Sequence, residues 1–283
     1  MGYTLAIENE QGDTLTLTGN SNYSLTSITG LNPPESTINT AVNANFDGSI
    51  YKSSRMNNRN IVINLAIEQP VETNRIALYS FFKSKKSCTV YYTNKSRDVS
   101  ILGYVESFQI GFFEQKETAQ ISVICPQPYF EDIESNYIVF TTDNAAFEFP
   151  FEIPEAGIEF STLTLDAQNV ITNTGDFETG LIIIFHAIGH VENPTIYNIT
   201  TGALMKINIE LEEGDIVTID TTRGSKKITL NSDGTITNIF NDLDYTSSWL
   251  TLEVGDNIIM YTADEYPQYL ICNILYTTKY EGV

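Results

Sequence analysis

The sequence predicts a mainly β protein of two domains, an N-terminal β-barrel or sandwich with one helix and a C-terminal antiparallel β-sandwich. Three observations support this prediction. Apolar and polar residues alternate along many short segments, turn-forming Gly and Asp residues separate these segments, and the excess of acidic residues is confined to one half of the chain. Alternation with a period of two indicates half-buried strands, because successive side chains of a strand point to opposite faces.

Length and charge predict where the two domains meet. The chain has 283 residues, whereas an ordinary domain has about 150. Residues 1–130 carry ten Lys or Arg and eleven Asp or Glu, and residues 131–283 carry five and twenty-five, so that the net charges are −1 and −20. We therefore predict an N-terminal domain over residues 1–130, and a connector with a C-terminal domain over residues 131–283.

The N-terminal domain is predicted to be a set of strands with a single helix between them. The first strands follow from the alternation of Tyr3, Leu5 and Ile7, and the domain closes at Pro126 and Pro128. Later strands are expected over residues 61–67, 89–92, 100–102, 104–110 and 119–124.

The predicted helix covers residues 72–85. Its apolar residues have the spacing of one helix face, and we expect that face to pack on a sheet: Ile76, Leu78, Tyr79 and Phe82. Three lysines at its end would oppose the helix dipole: Lys83, Lys85 and Lys86.

A long polar stretch over residues 32–59 separates the first strands from the rest of the domain. Its few apolar residues cannot form a core, and a connection of this length is either mobile or docked on another chain. We predict that it is an oligomerisation arm.

Short strands alternate with turn signals through the second half. Turns are expected at Gly175, Gly214, Gly224, Gly234 and Gly255, and strands between them over residues 207–211, 216–220, 228–230, 250–252 and 271–276. This spacing is typical of an antiparallel sandwich or jelly roll. Residues 131–160, with Pro150 and Pro154, are interpreted as the connector.

No catalytic, cofactor or metal site is predicted. His186 and His190 follow a strand-like run, and two residues four apart on a strand are about 13 Å from each other, too far to share a metal ion. The chain has no Gly-x-Ser-x-Gly elbow and no phosphate-binding glycine loop. The cluster of Glu212, Glu213 and Asp215 lies at a predicted turn and is interpreted as a solvated face.

The three cysteines lack the spacing of a zinc or redox site and are expected to be buried: Cys88, Cys125 and Cys272. The N-terminus does not have the pattern of a signal peptide, and the apolar run that begins at Leu181 is far shorter than a membrane span of about 20 residues. We therefore expect no secretion and no membrane span.

A carbohydrate-binding module is the alternative function. β-Sandwiches often stack a sugar on an aromatic ring, Trp249 is the only tryptophan, and Asn193-Pro194 after His190 resembles part of the galectin signature. However, Thr195 stands where that signature has an arginine, and a place in the core is the other interpretation of Trp249.

The order of several motifs resembles the distal tail protein family of siphophages and prophage tails. The motifs of the first half are Gly30-Leu31-Asn32-Pro33-Pro34, Asp47-Gly48-Ser49, Arg59-Asn60-Ile61, Gly103-Tyr104-Val105-Glu106 and Cys125-Pro126. Those of the second half are Gly175-Asp176-Phe177, Asn193-Pro194-Thr195, Thr218-Ile219-Asp220-Thr221 and Tyr261-Thr262-Ala263-Asp264. The resemblance covers nearly the whole chain.

This resemblance implies a structural protein of the virion tail tip, not an enzyme, assembled in the cytoplasm of the bacterial host. It implies a homo-oligomeric ring, usually a hexamer, in which the N-terminal domain surrounds a channel for DNA and a galectin-like C-terminal domain projects outward. The implied partners are the tail tube protein, the tail-associated hub or lysin, and the tape measure protein. Since the chain has few clusters of Lys and Arg, we expect DNA to pass through without tight binding.

Overall fold

A computed structural model describes residues 2–43, 45, 47–111, 116–140, 142–145, 161–164 and 168–283. The chain divides into two compact units: unit 1, Met1–Ile133 with Lys279–Val283, and unit 2, Glu134–Thr278. The division differs from the predicted one in that residues 279–283 belong to unit 1, although they follow unit 2 in the sequence.

The strands and helices have the following bounds. Unit 1 contains β1 (Thr4–Asn9), β2 (Thr14–Thr16), β3 (Tyr23–Thr29), β4 (Ser36–Val42), β5 (Ser49–Met56), β6 (Arg59–Ile67), α1 (Val71–Phe81), β7 (Ser87–Thr93), β8 (Asp98–Gly111), β9 (Thr118–Cys125) and β10 (Phe130–Asp132). Unit 2 contains β11 (Asn136–Val139), β12 (Thr142–Ala145), β13 (Ser161–Thr164), β14 (Gln168–Asn173), β15 (Thr179–Ala187), β16 (Val191–Glu192), β17 (Thr195–Asn198), β18 (Ala203–Lys206), β19 (Glu210–Leu211), β20 (Ile216–Asp220), β21 (Lys227–Ser232), β22 (Thr235–Asn238), the 3₁₀ helix η1 (Phe240–Asp242), β23 (Thr251–Leu252), β24 (Gly255–Thr262), the 3₁₀ helix η2 (Pro267–Tyr269) and β25 (Leu270–Tyr276). Strand β26 (Lys279–Tyr280) lies in unit 1.

Unit 1 is built on a nine-stranded antiparallel sheet with the order β2-β1-β7-β8-β9-β6-β3, to which β10 and β26 are attached. The alternation that predicted these strands also forms the core. Leu5 and Ile7 of β1 and Ile61, Ile63 and Leu65 of β6 are fully buried. Burying a side chain of this size contributes about 1.5–3 kcal/mol.

Helix α1 is shorter than predicted and is rotated about its axis. Asn74 and Leu78 face the core, and Phe82 is buried just beyond the helix end, whereas Ile76 and Tyr79 are exposed. The buried amide of Asn74 is satisfied in this orientation, because it donates to the carbonyl of Glu68 at 2.9 Å. A core-facing Asn is not part of an apolar stripe, so the predicted stripe was partly wrong.

The lysines that follow α1 do not lie in its last turn, and the predicted role opposite the helix dipole was wrong. The helix ends at Phe81, and Lys85 has a positive φ of 68°. The amide of Lys85 donates to the carbonyl of Val105 at 2.9 Å, which directs this segment toward β8.

Unit 2 contains a seven-stranded sheet with the order β11-β25-β15-β20-β21-β22, joined by β23, and a four-stranded sheet with the order β14-β24-β17-β18. One core cluster takes alternate residues from both sheets, including Ile183 and Phe185 of β15 and Ile259 and Tyr261 of β24. The predicted fold class, mainly β with an antiparallel sandwich, is confirmed.

Part of the predicted connector belongs to the core of unit 2. Strand β11 pairs with β25, and Phe140 is 1% exposed within the core. Residues 146–160 of the connector lie outside the described residues. The strand predicted over residues 207–211 is reduced to β19, because the amide of Asn208 donates to the carbonyl of Asp242 instead of to a neighbouring strand. No helix in the described part of the chain is long and apolar enough to cross a membrane.

Candidate functional site

The polar stretch of residues 32–59 contains a β-hairpin, which we call the arm (Ser36–Met56). Strands β4 and β5 pair in antiparallel register, with a bulge after Asn39, and within the described residues they pair only with each other. The prediction that this stretch has no core face agrees with the structure. A hairpin was expected for the oligomerisation arm, and the structure has one, but its strands were not located from the sequence. The alternation of Ile38, Thr40 and Val42 before the turn residues Asp47 and Gly48 is their sequence signal.

The arm exposes large apolar side chains on one face, which we call its apolar face. Ile38 is 61% exposed, Val42 84% and Tyr51 61%. Thr40 is paired with Tyr51, so that the side chain of Tyr51 lies on the same face as those of Ile38 and Val42. A two-stranded hairpin is at best marginally stable by itself in water, which favours a binding partner for this face.

The chain that leads into the arm passes through a position that only glycine fits. Gly30 has a φ of 87°, and a Cβ atom there would lie 2.1 Å from the carbonyl oxygen of Asn60. The chain therefore passes directly over β6 as it leaves the sheet and enters the arm.

Arg59, the first residue of β6, connects the arm base to the body of unit 1. It is 2% exposed, and its guanidinium lies 4.5 Å from the ring centroid of Phe130. Burial lowers its pKa. The guanidinium donates to backbone carbonyls at 2.5–2.7 Å, namely those of Gly30, Asn32, Pro128 and Glu281.

A cleft of about 360 Å³ lies beside this anchor at the arm base. Its lining is made of residues that enter and leave the arm, including Pro33, Pro34, Glu35, Asn57 and Asn58. The two sides are joined by a hydrogen bond from the amide of Asn57 to the carbonyl of Glu35, at 3.0 Å. The cleft and the arm therefore form one continuous surface.

The two histidines do not lie on one strand as assumed. His186 is in β15, whereas His190 is in the loop after it. Nδ1 of His190 lies 3.0 Å from Glu212 Oε1 and Nε2 lies 3.3 Å from Glu192 Oε1. The hydrogen bond to Glu212, followed by that to Glu192, raises the pKa of His190. Both ring nitrogens are occupied by these carboxylates, and no group of His, Cys, Asp or Glu that could hold a metal ion occurs among the described residues.

The acidic cluster at the turn is only partly a solvated face. Asp215 is 8% exposed, and its carboxylate accepts a hydrogen bond from the amide of Glu212 at 3.0 Å. Asp215 therefore closes the turn between β19 and β20, and Glu212 pairs with His190. The sequence interpretation was correct about the turn but wrong about the exposure of Asp215.

Trp249 is half-buried and packs against the core of unit 2. Nζ of Lys226 lies 4.7 Å from its ring centroid, and the ring of Phe240 lies 5.8 Å away. These side chains occupy part of the space around the ring that a stacked sugar would need, which disfavours the carbohydrate alternative.

All three cysteines are free and buried, as predicted. Burial raises the pKa of the Cys88 thiol to about 11 and that of Cys125 to about 12. Burial also raises the pKa of Cys272. Such thiols are poor nucleophiles at neutral pH.

One part of the chain matches a known protein family. Residues 174–280 match the model described as the siphovirus-type tail component, C-terminal domain. No curated protein matches the chain.

Solved structures with the same fold are a phage hub protein and a phage baseplate. The crystal structure of phage SPP1 Dit (gp 19.1), described as a paradigm of the hub adsorption apparatus in phages that infect Gram-positive bacteria, has a TM-score of 0.69 at 12% identity. The match covers 99% of each of the two chains. The phage P2 baseplate in its activated conformation with Ca has a TM-score of 0.55 at 12% identity, and its form with Sr has 0.54 at 11%, each over 100% of both chains.

The whole chain has the fold of these phage proteins, and the family match covers residues 174–280. The resemblance to the siphovirus distal tail protein family is confirmed, and residues 174–280 carry the family match.

Proposed function

We propose that this chain is a structural protein of a virion tail tip, where it forms a ring that joins the tail tube to the baseplate hub and lets DNA pass. The observation that carries the proposal is the arm, which extends a two-stranded sheet with an exposed apolar face in a chain that has a tail-component domain. The matches to hub and baseplate proteins support the tail-tip location.

The occupant of the arm's apolar face is a second copy of the chain. Each copy carries one arm on unit 1, so an arm that binds the next copy generates a head-to-tail contact, and such contacts close into rings when the rotation between copies allows it. The proposed ring is a hexamer. Its further partners are the tail tube protein, the hub or lysin, and the tape measure protein during assembly in the host cytoplasm.

The charge distribution favours a protein that lets DNA pass over a protein that binds DNA tightly. Unit 1 is close to neutral and unit 2 is strongly acidic, so phosphate groups find few clustered cations. A protein of this kind needs no catalytic group, and we propose that it is not an enzyme.

The test is the mass of the full chain in solution, measured by light scattering after size exclusion over a range of concentrations. The matched variant replaces Ser36–Met56 with a short Gly-Ser linker. We expect the wild type to associate toward a six-chain species and the variant to remain monomeric with an unchanged β-rich circular dichroism spectrum. Equal masses for the two proteins would contradict the proposed role of the arm.

A further inference from the structure

Residues 279–283 are bound to the arm base by several independent contacts. The amide of Val283 donates to the carbonyl of Leu31 at 3.2 Å, and Glu281 supplies one of the carbonyls that Arg59 binds, at 2.6 Å. Gly282 lies so close to the chain before the arm that a Cβ atom there would be 3.0 Å from Cδ of Pro33.

A second arginine holds the same segment from the other side. Nη1 of Arg97 donates to the carbonyl of Gly282 at 2.9 Å, and its guanidinium lies 4.0 Å from the ring centroid of Tyr280. Strand β26 also pairs with β10, where Nζ of Lys279 lies 3.6 Å from Glu131 Oε1. Residues 279–283 are therefore an ordered part of unit 1.

The contacts of this segment and of Arg59 converge on the two points where the arm joins the sheet. Residues 30–33 lead into β4, and Arg59 follows β5 after only Asn57 and Asn58. A buried guanidinium requires acceptors for its donors, and here they are carbonyls at fixed positions on separate segments. If residues 279–283 leave, Arg59 loses one of these acceptors. Leu31 and Pro33 lose their contacts with that segment.

A small change at the base has a large effect at the tip. A strand of seven residues is about 23 Å long, so a rotation of about 10° at the base moves the tip by about 4 Å. Such a displacement exceeds the tolerance of a packed interface, in which contacts weaken within about 1 Å.

We propose that residues 279–283 are a latch that fixes the direction of the arm through Arg59, and that Arg59 and Gly282 are positioning residues for the capture of a second copy. Only the effect of the latch on assembly rests on the proposed function. The latch itself is a property of a single chain.

The direction of the arm is measured with spin labels on Asp47→Cys at the arm turn and Lys95→Cys on the surface of unit 1, both of which replace exposed residues. The native thiols are buried and should remain unlabelled. Labelled protein is diluted into unlabelled protein so that electron–electron distances within one chain dominate. The test variants are Gly282→Leu, which obstructs the docking of the segment, and Arg59→Lys, which removes the guanidinium fork. Gly2→Leu is the control, since nothing lies within 4 Å of a Cβ atom at that position.

We expect one narrow distance distribution in the wild type and in Gly2→Leu, a distribution broadened by about 4 Å or more in the two test variants, and association weakened by about tenfold or more in them. Narrow distributions in both test variants would overturn the latch. If Gly282→Leu does not fold, the distance distribution of Arg59→Lys alone tests the latch. The proposed function fails separately if replacement of the arm by a linker leaves the association of the chain unchanged. In that case the spin-label distances still show whether the latch exists.

Discussion

Nη1 of Arg59 donates to the carbonyl oxygen of Gly30 at 2.5 Å, and this contact joins the chain segment before the arm to the segment after it. It requires the positive φ of Gly30 and the close passage of the chain over Asn60. The exposed hairpin is thus anchored on a base in which both a glycine and a buried arginine have positions that other residues cannot take.

Gly30→Ala should destabilise unit 1 by about 3 kcal/mol or more, because a Cβ atom adds both backbone strain and a collision with Asn60. Gly48→Ala is the matched control. Gly48 has a φ of 89° but open space around it, so that only strain of about 1 kcal/mol is expected. Urea denaturation of both variants measures the difference, and equal destabilisation would show that the contact with Asn60 is unimportant.

His190 should titrate above its ordinary pKa of about 6.5, because Glu212 and Glu192 bind its ring nitrogens. Its contribution to stability is then fully present below about pH 6.5 and is lost as the pH rises through the higher folded-state pKa. Titration of the imidazole protons by NMR measures this pKa. Glu212→Gln should lower it more than Glu192→Gln, and a wild-type value at or below 6.5 would refute the pairing.

Unit 2 should fold without unit 1 when its fragment begins at Glu134. A fragment that begins at Asn144 would lack β11 and Phe140, and loss of a buried Phe costs about 3–5 kcal/mol. Calorimetry should therefore show cooperative melting of the fragment 134–278 and a markedly lower melting temperature for the fragment 144–278. Aggregation or non-cooperative melting of the longer fragment would contradict the boundary.

Duplex DNA should bind only weakly and without sequence preference, with a Kd at or above roughly 10⁻⁴ M at physiological salt. The physical reason is the excess of acidic residues and the small number of clustered cations. Fluorescence anisotropy with a labelled duplex measures the affinity. Sub-micromolar binding would exclude a passive conduit.

The strands could be predicted from the sequence because alternation directly reports burial on one face, as in Ile61, Ile63 and Leu65. The same alternation, extended back by two residues, places Arg59 on the buried face. Because a charged residue is rarely buried, this pattern alone did not predict the burial of Arg59. The buried amide of Asn74 bonds to the carbonyl of Glu68, and the environment of His190 depends on Glu212, twenty-two positions away. Neither contact follows from the spacing of apolar residues.

The contact between the arm and a second copy is tested most directly by cross-linking in a mixture of ¹⁴N-labelled and ¹⁵N-labelled chains. A photoreactive amino acid replaces Val42, which is 84% exposed on the apolar face of the arm, and the same substitution at the exposed Lys95 provides the control. We expect cross-linked peptides from position 42 to join the two isotopes, whereas position 95 should give few such products. Cross-links from position 42 that stay within chains of one isotope would contradict this expectation.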